Sequence, residues 1–389
     1  MLHELAERLS GWRHWTLATV LLTCGHLVVA WTLGAAEGRP PDDFDRYFQI
    51  ARGSGASGQA DEIEHAPVAT AYFKVVASTA GTRKNFRLAL IWAAVAADVV
   101  VVLALGWSFG ALAATVYAAV TLPLLSLYYL RFDLLPTMLT TIAIAAYRRG
   151  LPVTAAVALV AGVGFKLWPL PLSAVFVRRW RDAAGRRATV AFVLLSALLG
   201  VLWMSLGGVD APVQVATFRG ATGWHVESLV GGFIAWWNLP SLRLEADGWR
   251  IGYLAPQMST ALLVLAAAVA FWLAWRGASN RGQLGVTWLA SVTALLLIAP
   301  ALSPQYMVWL APAIAIAWRE GDHWPALLTA ATVPLTLWLL SGYGALIDGQ
   351  RWAALPIISR NLVLVVAGLA AAAAIWQTRR IRAGGEVAR

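Results

Sequence analysis

Long apolar runs recur from one end of this chain to the other with hardly a charge inside them, and that succession constrains the fold more than any single motif. Of the 389 residues, 59% are hydrophobic and only 13% charged, which excludes an ordinary soluble globule. A hydrocarbon core about 30 Å thick takes about 20 helical residues per crossing, so the length allows roughly ten to twelve crossings and no sizeable soluble domain. We therefore expect an all-α, polytopic transmembrane helical bundle of about 12 segments, a single integral-membrane domain over residues 1–389.

The runs place themselves in order. Trp15 to Leu33 crosses outward, with Trp12, Trp15 and Trp31 as interface anchors, and residues 34–86 form a first outer loop. No A-x-A cleavage site follows that first run, so it is expected to be a retained helix. Within the loop, Gly53 to Gly58 is a flexible linker and Pro67 to Ser78 a helix lying on the membrane surface. Arg87 to Leu105 returns with Asp98 near mid-bilayer, where a carboxylate is either functional or paired within the bundle. Gly110 to Tyr128 and Leu134 to Tyr147 follow. Leu151 to Val177 is too short for two full crossings, so we expect two short helices broken near Lys166-Leu167-Trp168-Pro169. Ala188 to Leu206 leads to a second outer loop, 207–257, whose Trp236-Trp237 pair marks a re-entrant or surface-lying helix. Met258 to Trp275, Leu284 to Ile298, Met307 to Trp318, Trp324 to Leu340 and Ile357 to Trp376 complete the set.

The net charge of +10 raises nucleic acid as a partner, but its placement points elsewhere. Basic residues gather in short loops such as Arg148-Arg149, Arg178-Arg179 and Arg186-Arg187. Assigning those loops, the loop of Arg276 and Arg281, the Arg319 turn and both termini to the cytoplasm collects 16 of the 30 Lys and Arg there, against 6 of the 20 acids. We expect a plasma-membrane protein with cytoplasmic termini and no nucleic-acid partner. The one cysteine, Cys24, lies in the first apolar run, which removes disulfides and Cys-based metal sites.

Nearly every unusual polar residue then falls on the outer face. Pro40-Pro41-Asp42-Asp43-Phe44-Asp45-Arg46-Tyr47 concentrates acid just past a hydrophobic helix. It reads either as a catalytic edge or as a loop start with an N-cap. Glu64 and His65, Arg131 and Asp133, Lys166, Arg219, His225 and Glu227, and Gln305 with Tyr306 share that face. Carboxylates beside scattered cations suit a site that deprotonates a hydroxyl while holding a phosphate: Asp supplies the base, Arg a planar fork, Lys a point charge. Snorkelling is the other reading of Lys166. No P-loop, H-E-x-x-H or G-x-S-x-G occurs.

Taken in order, Asp43-Phe44-x-x-Tyr47, Glu64-His65-Ala66-Pro67, Arg131-Phe132-Asp133-Leu134-Leu135-Pro136, Lys166-Leu167-Trp168-Pro169, Glu227-Ser228 and Ser303-Pro304-Gln305-Tyr306 resemble a family. They are similar to the polyprenyl-phosphate-mannose-dependent mannosyltransferases among the C-class (GT-C) membrane glycosyltransferases. The resemblance implies an inverting transfer of mannose from polyprenyl phosphate to a glycolipid or glycan hydroxyl at the outer face. It implies Asp43 as the base, with Asp42 and Asp45 competing; Arg131, Asp133, Lys166, Arg219, Glu227, Gln305 and Tyr306 at the donor; and Tyr47, Glu64, His65 and His225 at the acceptor. Where relatives tend to have Glu-Tyr-Pro-Pro this chain has Glu64-His65-Ala66-Pro67, which leaves acceptor and sugar open. Membrane lipids are the other partners, and the oligomeric state is open. No cofactor is expected, since Arg and Lys neutralise a phosphate, although Asp42, Asp43 and Asp45 could together hold a divalent cation. The rival readings are a lipid-linked oligosaccharide ligase, which needs the same phosphate grip and base, and a transporter or flippase, which needs polar residues at the midplane.

Overall fold

The computed structural model describes residues 2–35, 43–53, 65–216, 220–245, 248–279 and 282–387. Seven helices are long and apolar enough to cross a membrane: Arg13–Gly34, Arg83–Phe109, Ala111–Tyr128, Ala183–Gly207, Pro256–Gly277, His323–Ser341 and Arg351–Gln377. The chain is a multi-pass membrane protein with an all-α bundle.

The expected segments that fall short do so for reasons visible in the chain. Leu134–Arg148, Pro152–Phe165 and Leu284–Ile298 are apolar but shorter. At 1.5 Å per residue each reaches roughly 21–23 Å, less than a full hydrocarbon core. Met307 to Trp318 is not one helix: Pro304–Trp309 winds as a tight 3₁₀ turn, and Ala311–Glu320 carries Pro312 in its first turn. The break near Lys166 is present. The helix Pro152–Phe165 stops there, and Lys166 is extended at φ −160°, ψ 137° before the Leu170–Ser173 turn.

The residues fall into two compact units. One comprises Met1–Pro169 and Val190–Ala211, the other Leu170–Thr189 and Pro212–Arg389. In the first, Arg83–Phe109 is the central helix, packed by Leu134–Arg148, Ala111–Thr121 and the N-terminal helix Leu2–Ala35. Thr82 starts it, accepting a hydrogen bond from the Asn85 amide at 3.2 Å. Two shorter helices, Asp43–Arg52 and Pro67–Ala80, pack on each other and on that central helix. A helix is therefore there over the expected stretch, from Pro67 to Ala80. The end of Pro152–Phe165 packs on it so closely that a Cβ at Gly164 would lie 2.4 Å from Val68 Cγ2.

In the second unit, Leu284–Ile298 is the buried centre, contacted by Pro256–Gly277, Ala311–Glu320 and Leu355–Val387. The segment 207–257 departs from expectation. It holds the helix Leu229–Asn238, as foreseen, but also an antiparallel sheet of β1 (Trp224–His225), β2 (Arg243–Glu245) and β3 (Gly248–Ile251), ordered β1-β3-β2. Strands of two to four residues are too short to show a period in the sequence. They are held by Val226, Ile251, Ala235 and Leu239, which share one buried cluster with Leu339, Leu346 and Ile357.

Candidate active site

The first unit's polar site starts from the short helix Asp43–Arg52. Its apolar residues Phe44, Tyr47 and Ile50 recur at helical spacing and are buried. That leaves Asp43 and Asp45 in the first turn, where the helix dipole favours negative charge. The buried face is fixed by rings. Tyr47 stacks on Phe73 with centroids 4.6 Å apart, and His65 and Phe132 meet both edge-on at 5.5–5.6 Å and each other at 5.4 Å. Such contacts stabilise by about 0.5–1.5 kcal/mol beyond area burial.

Three consecutive residues of the turn before Leu134 then reach three different partners. Arg131 forms an ion pair with Asp43, Phe132 enters the ring cluster, and Asp133 takes the Lys166 ammonium at 2.7 Å. Lys166 also lies 5.2 Å from the Phe132 ring centroid, a cation–π contact. Lys166 is therefore directed at a buried carboxylate, which is not the geometry of snorkelling. The Tyr47 hydroxyl donates to Asp43 Oδ2 at 3.4 Å, and Arg83 pairs with Asp45. Neighbouring Tyr72 is no candidate base, because burial pushes its hydroxyl up to about 12. Asp43, Asp45, Tyr47, His65, Arg131, Asp133 and Lys166 are thus brought together. Asp42, Glu64 and Arg219 lie outside the described residues.

Asp98 proves to be paired within the bundle. His26 Nδ1 lies 2.6 Å from its Oδ2, and the Tyr117 and Tyr129 hydroxyls donate to it at 2.7 and 2.8 Å. His26 Nε2 in turn donates to the Ala118 carbonyl at 2.9 Å. Every polar group of this buried set is satisfied by another, as a structural tie between helices requires.

The other candidates, His225, Glu227, Gln305 and Tyr306, lie in the second unit. Ser228 caps the helix Leu229–Asn238 by accepting from the Gly231 amide at 3.0 Å. A Cβ at Gly231 would sit 2.1 Å from the His225 carbonyl oxygen, so only glycine permits this tight turn. The turn presents the Glu227 carbonyl to two residues of Leu355–Val387: Arg360 Nη2 donates to it at 2.7 Å and Asn361 Nδ2 at 3.1 Å. Arg360, Asn361, Glu227 and Arg250 are all buried. His225 Nδ1 is 3.5 Å from Glu227 Oε2, and the His225 amide donates to the Pro300 carbonyl at 3.0 Å. Burial first, then the charges of Arg250 and Arg360, lower the imidazole to about 3 against the pull of a hydrogen bond to the Leu302 carbonyl. His225 is neutral at physiological pH. In the turn beyond, Ser303 Oγ donates to the Gln305 side-chain oxygen and Tyr306 stacks on Trp309 at 4.0 Å. Nearby on the sheet, burial alone would raise the Glu245 carboxyl, but hydrogen bonds from Thr222 and Arg243 outweigh it and hold it below the usual range.

Sequence reasoning missed His26, Arg250, Arg360 and Asn361. The available signal was an Arg-Asn pair inside the apolar run from Ile357 to Trp376, and a histidine inside the first run, both costly in a membrane without partners. Among the described residues, no three His, Cys, Asp or Glu side chains gather as a metal site would require.

No family model and no curated protein matches this chain. It is similar to two crystal structures of ArnT from Cupriavidus metallidurans. The apo state matches at 17% identity over 94% of this chain, and the form bound to undecaprenyl phosphate at 18% over 91%; both matches cover 77% of that chain with a TM-score of 0.43. A likeness this shallow assigns no role to any residue, and the chemistry rests on the chain's own side chains.

Proposed function

We propose that this chain is an inverting glycosyltransferase that moves a sugar, mannose on the resemblance above, from polyprenyl phosphate to a lipid or glycan hydroxyl at the outer face of the plasma membrane. The observation that carries the reading is the Asp43–Arg131 pair, with Asp133–Lys166 beside it through the same turn. In this reading Asp43 takes the proton of the acceptor hydroxyl. The hydroxyl oxygen attacks the anomeric carbon from the face opposite the phosphate, the carbon–oxygen bond to phosphate breaks, and polyprenyl phosphate leaves with the electron pair. Arg131 and Lys166 stand next to the acids as counter-charges for the phosphate oxygens. An isoprenoid tail already lies in the bilayer, where apolar helices bind it at about 0.8 kcal/mol per buried CH₂.

A transporter is disfavoured by the Asp98 set. A transport path would present its midplane charge to a substrate, whereas Asp98 is enclosed by His26, Tyr117 and Tyr129. The test is transfer of labelled mannose from polyprenyl-phosphate mannose by purified protein and by Asp43→Asn. A product from the wild type that Asp43→Asn fails to make supports the reading; equal product from both removes Asp43 from the reaction.

A further inference from the structure

Two helices of the first unit meet with no room for a side chain between them, and each carries part of the polar site. Gly164 is buried near the end of Pro152–Phe165. A Cβ there would lie 2.4 Å from Val68 Cγ2, 3.1 Å from Val68 Cβ and 3.4 Å from Leu199 Cδ1. Carbon atoms in contact rest about 3.5–4.0 Å apart, so a methyl group at 164 would push the helices apart by about 1 Å. Val68 cannot readily turn aside, because it branches at Cβ and its Cβ is itself in the way. Both helices lead from this contact into the site. On one side Phe165 meets the Tyr72 ring edge-on at 5.6 Å, and Lys166 follows, with its ammonium on Asp133 and 5.2 Å from the Phe132 ring. On the other, Val68 belongs to Pro67–Ala80, whose Phe73 stacks on Tyr47 and meets Phe132 at 5.5 Å. Phe132 is thus touched from both sides.

We propose that the Gly164–Val68 contact sets the spacing between Lys166 and the ring cluster beside Asp43, which makes Gly164 a positioning residue for the phosphate of the donor. A lysine reaches its partner on a flexible four-carbon stem, so the ion pair with Asp133 does not by itself fix the backbone at 166. The helix contact two residues earlier does. Glycine at 164 lets the helices approach closely enough for the ammonium and the rings to share Phe132, and any side chain there would widen the gap. Identifying the ligand as the phosphate of the sugar donor rests on the function proposed above; the spacing itself does not.

The test uses the full chain purified in detergent and reads the affinity of its folded fraction for labelled polyprenyl phosphate. Gly164→Ala should weaken binding about tenfold, the lower end of what one lost charge-assisted hydrogen bond costs. Gly162→Ala, the same change in the same helix with no neighbour nearer than 3.5 Å, should leave it unchanged. Val68→Ala removes the methyl group that the new Cβ meets but keeps its own Cβ at 3.1 Å, so the double variant should recover to within about two- to threefold of Val68→Ala alone. A smaller folded yield of Gly164→Ala with wild-type affinity overturns the proposal, since the contact then serves the fold and not Lys166. Lys166→Gln separates this failure from that of the function. If it weakens binding and Gly164→Ala does not, the positioning role alone falls; if neither does, or the wild type itself fails to bind, the phosphate role of Lys166 falls with it. Should Gly164→Ala not fold alone, the double variant is compared with Val68→Ala, and equal affinity in the two overturns the proposal.

Discussion

In the first unit each described acid of the polar site meets a cation or a ring of donors: Asp43 with Arg131, Asp45 with Arg83, Asp133 with Lys166, Asp98 with His26, Tyr117 and Tyr129. In the second, Arg360 spends its hydrogen bonds on a backbone carbonyl and an amide oxygen, and His225 is kept neutral beside it. Closed pairs of the Asp98 kind are what a bundle needs to hold together without water. The Arg360 charge is answered across space by the buried Glu227 carboxylate, while one of its nitrogens has no hydrogen bond among the described residues. The difference teaches that burial alone does not separate structural from functional charge; how completely each group is answered does.

The comparison can be broken most forcefully at Asp43. Asp43→Asn should lower transfer by about 10²–10⁴-fold, the span of a general base, with the helix fold unchanged. Asp45→Asn should do little, since its partner Arg83 is 60% exposed and surface pairs contribute about 0–1 kcal/mol. A dead Asp45→Asn beside an active Asp43→Asn would move the base to Asp45.

Asp98→Asn is the counterpart for a closed set. Removing the charge leaves His26, Tyr117 and Tyr129 around an amide that cannot accept from all of them, and breaking a buried pair typically costs about 3–5 kcal/mol. Thermal unfolding in detergent should show that loss, with activity per folded molecule retained. Lost activity in a protein of unchanged stability would make Asp98 functional.

Lys166→Gln should fall between these. It strips the buried Asp133 of its cation and should cost roughly 1–3 kcal/mol in stability, together with weaker donor binding at limiting polyprenyl-phosphate sugar. Full stability and full activity would mean that the Asp133 contact is incidental.

The last comparison concerns pH. His225 titrates near 6.5 when unfolded but is lowered to about 3 in the fold, so between those values the unfolded state binds more protons and stability falls as pH falls. Denaturant midpoints measured from pH 7 down to 4 should therefore decline in the wild type, and less steeply in His225→Gln. Parallel slopes would place the histidine in an environment that tolerates its charge.

The bundle was largely legible in the sequence, because crossing a bilayer forces long apolar runs that leave little freedom of assignment. All seven spans coincide with expected segments to within a few residues, and the break at Lys166 could be read from a lysine and a proline in an apolar stretch. The proximity of Asp43, Tyr47, Arg131 and Lys166 was legible only as a shared face. What joined them, the ring cluster of Tyr47, His65, Phe73 and Phe132, depends on packing between residues far apart in the chain. The sheet at 224–251 was missed although Asp247-Gly248 is a hairpin signal, since the flanking strands are too short to alternate convincingly. Arg360 was missed because its partner is a carbonyl, and a carbonyl has no residue type to find.

The most direct test of the central claim is the choice of donor. Purified wild-type protein is given labelled polyprenyl-phosphate mannose or a labelled nucleotide sugar, each with membrane lipids free of endogenous polyprenyl phosphate, and labelled glycolipid or glycan is counted. The account predicts product from the lipid donor alone, at a rate that Asp43→Asn lowers by about 10²–10⁴-fold. Product from the nucleotide sugar under these conditions would contradict it.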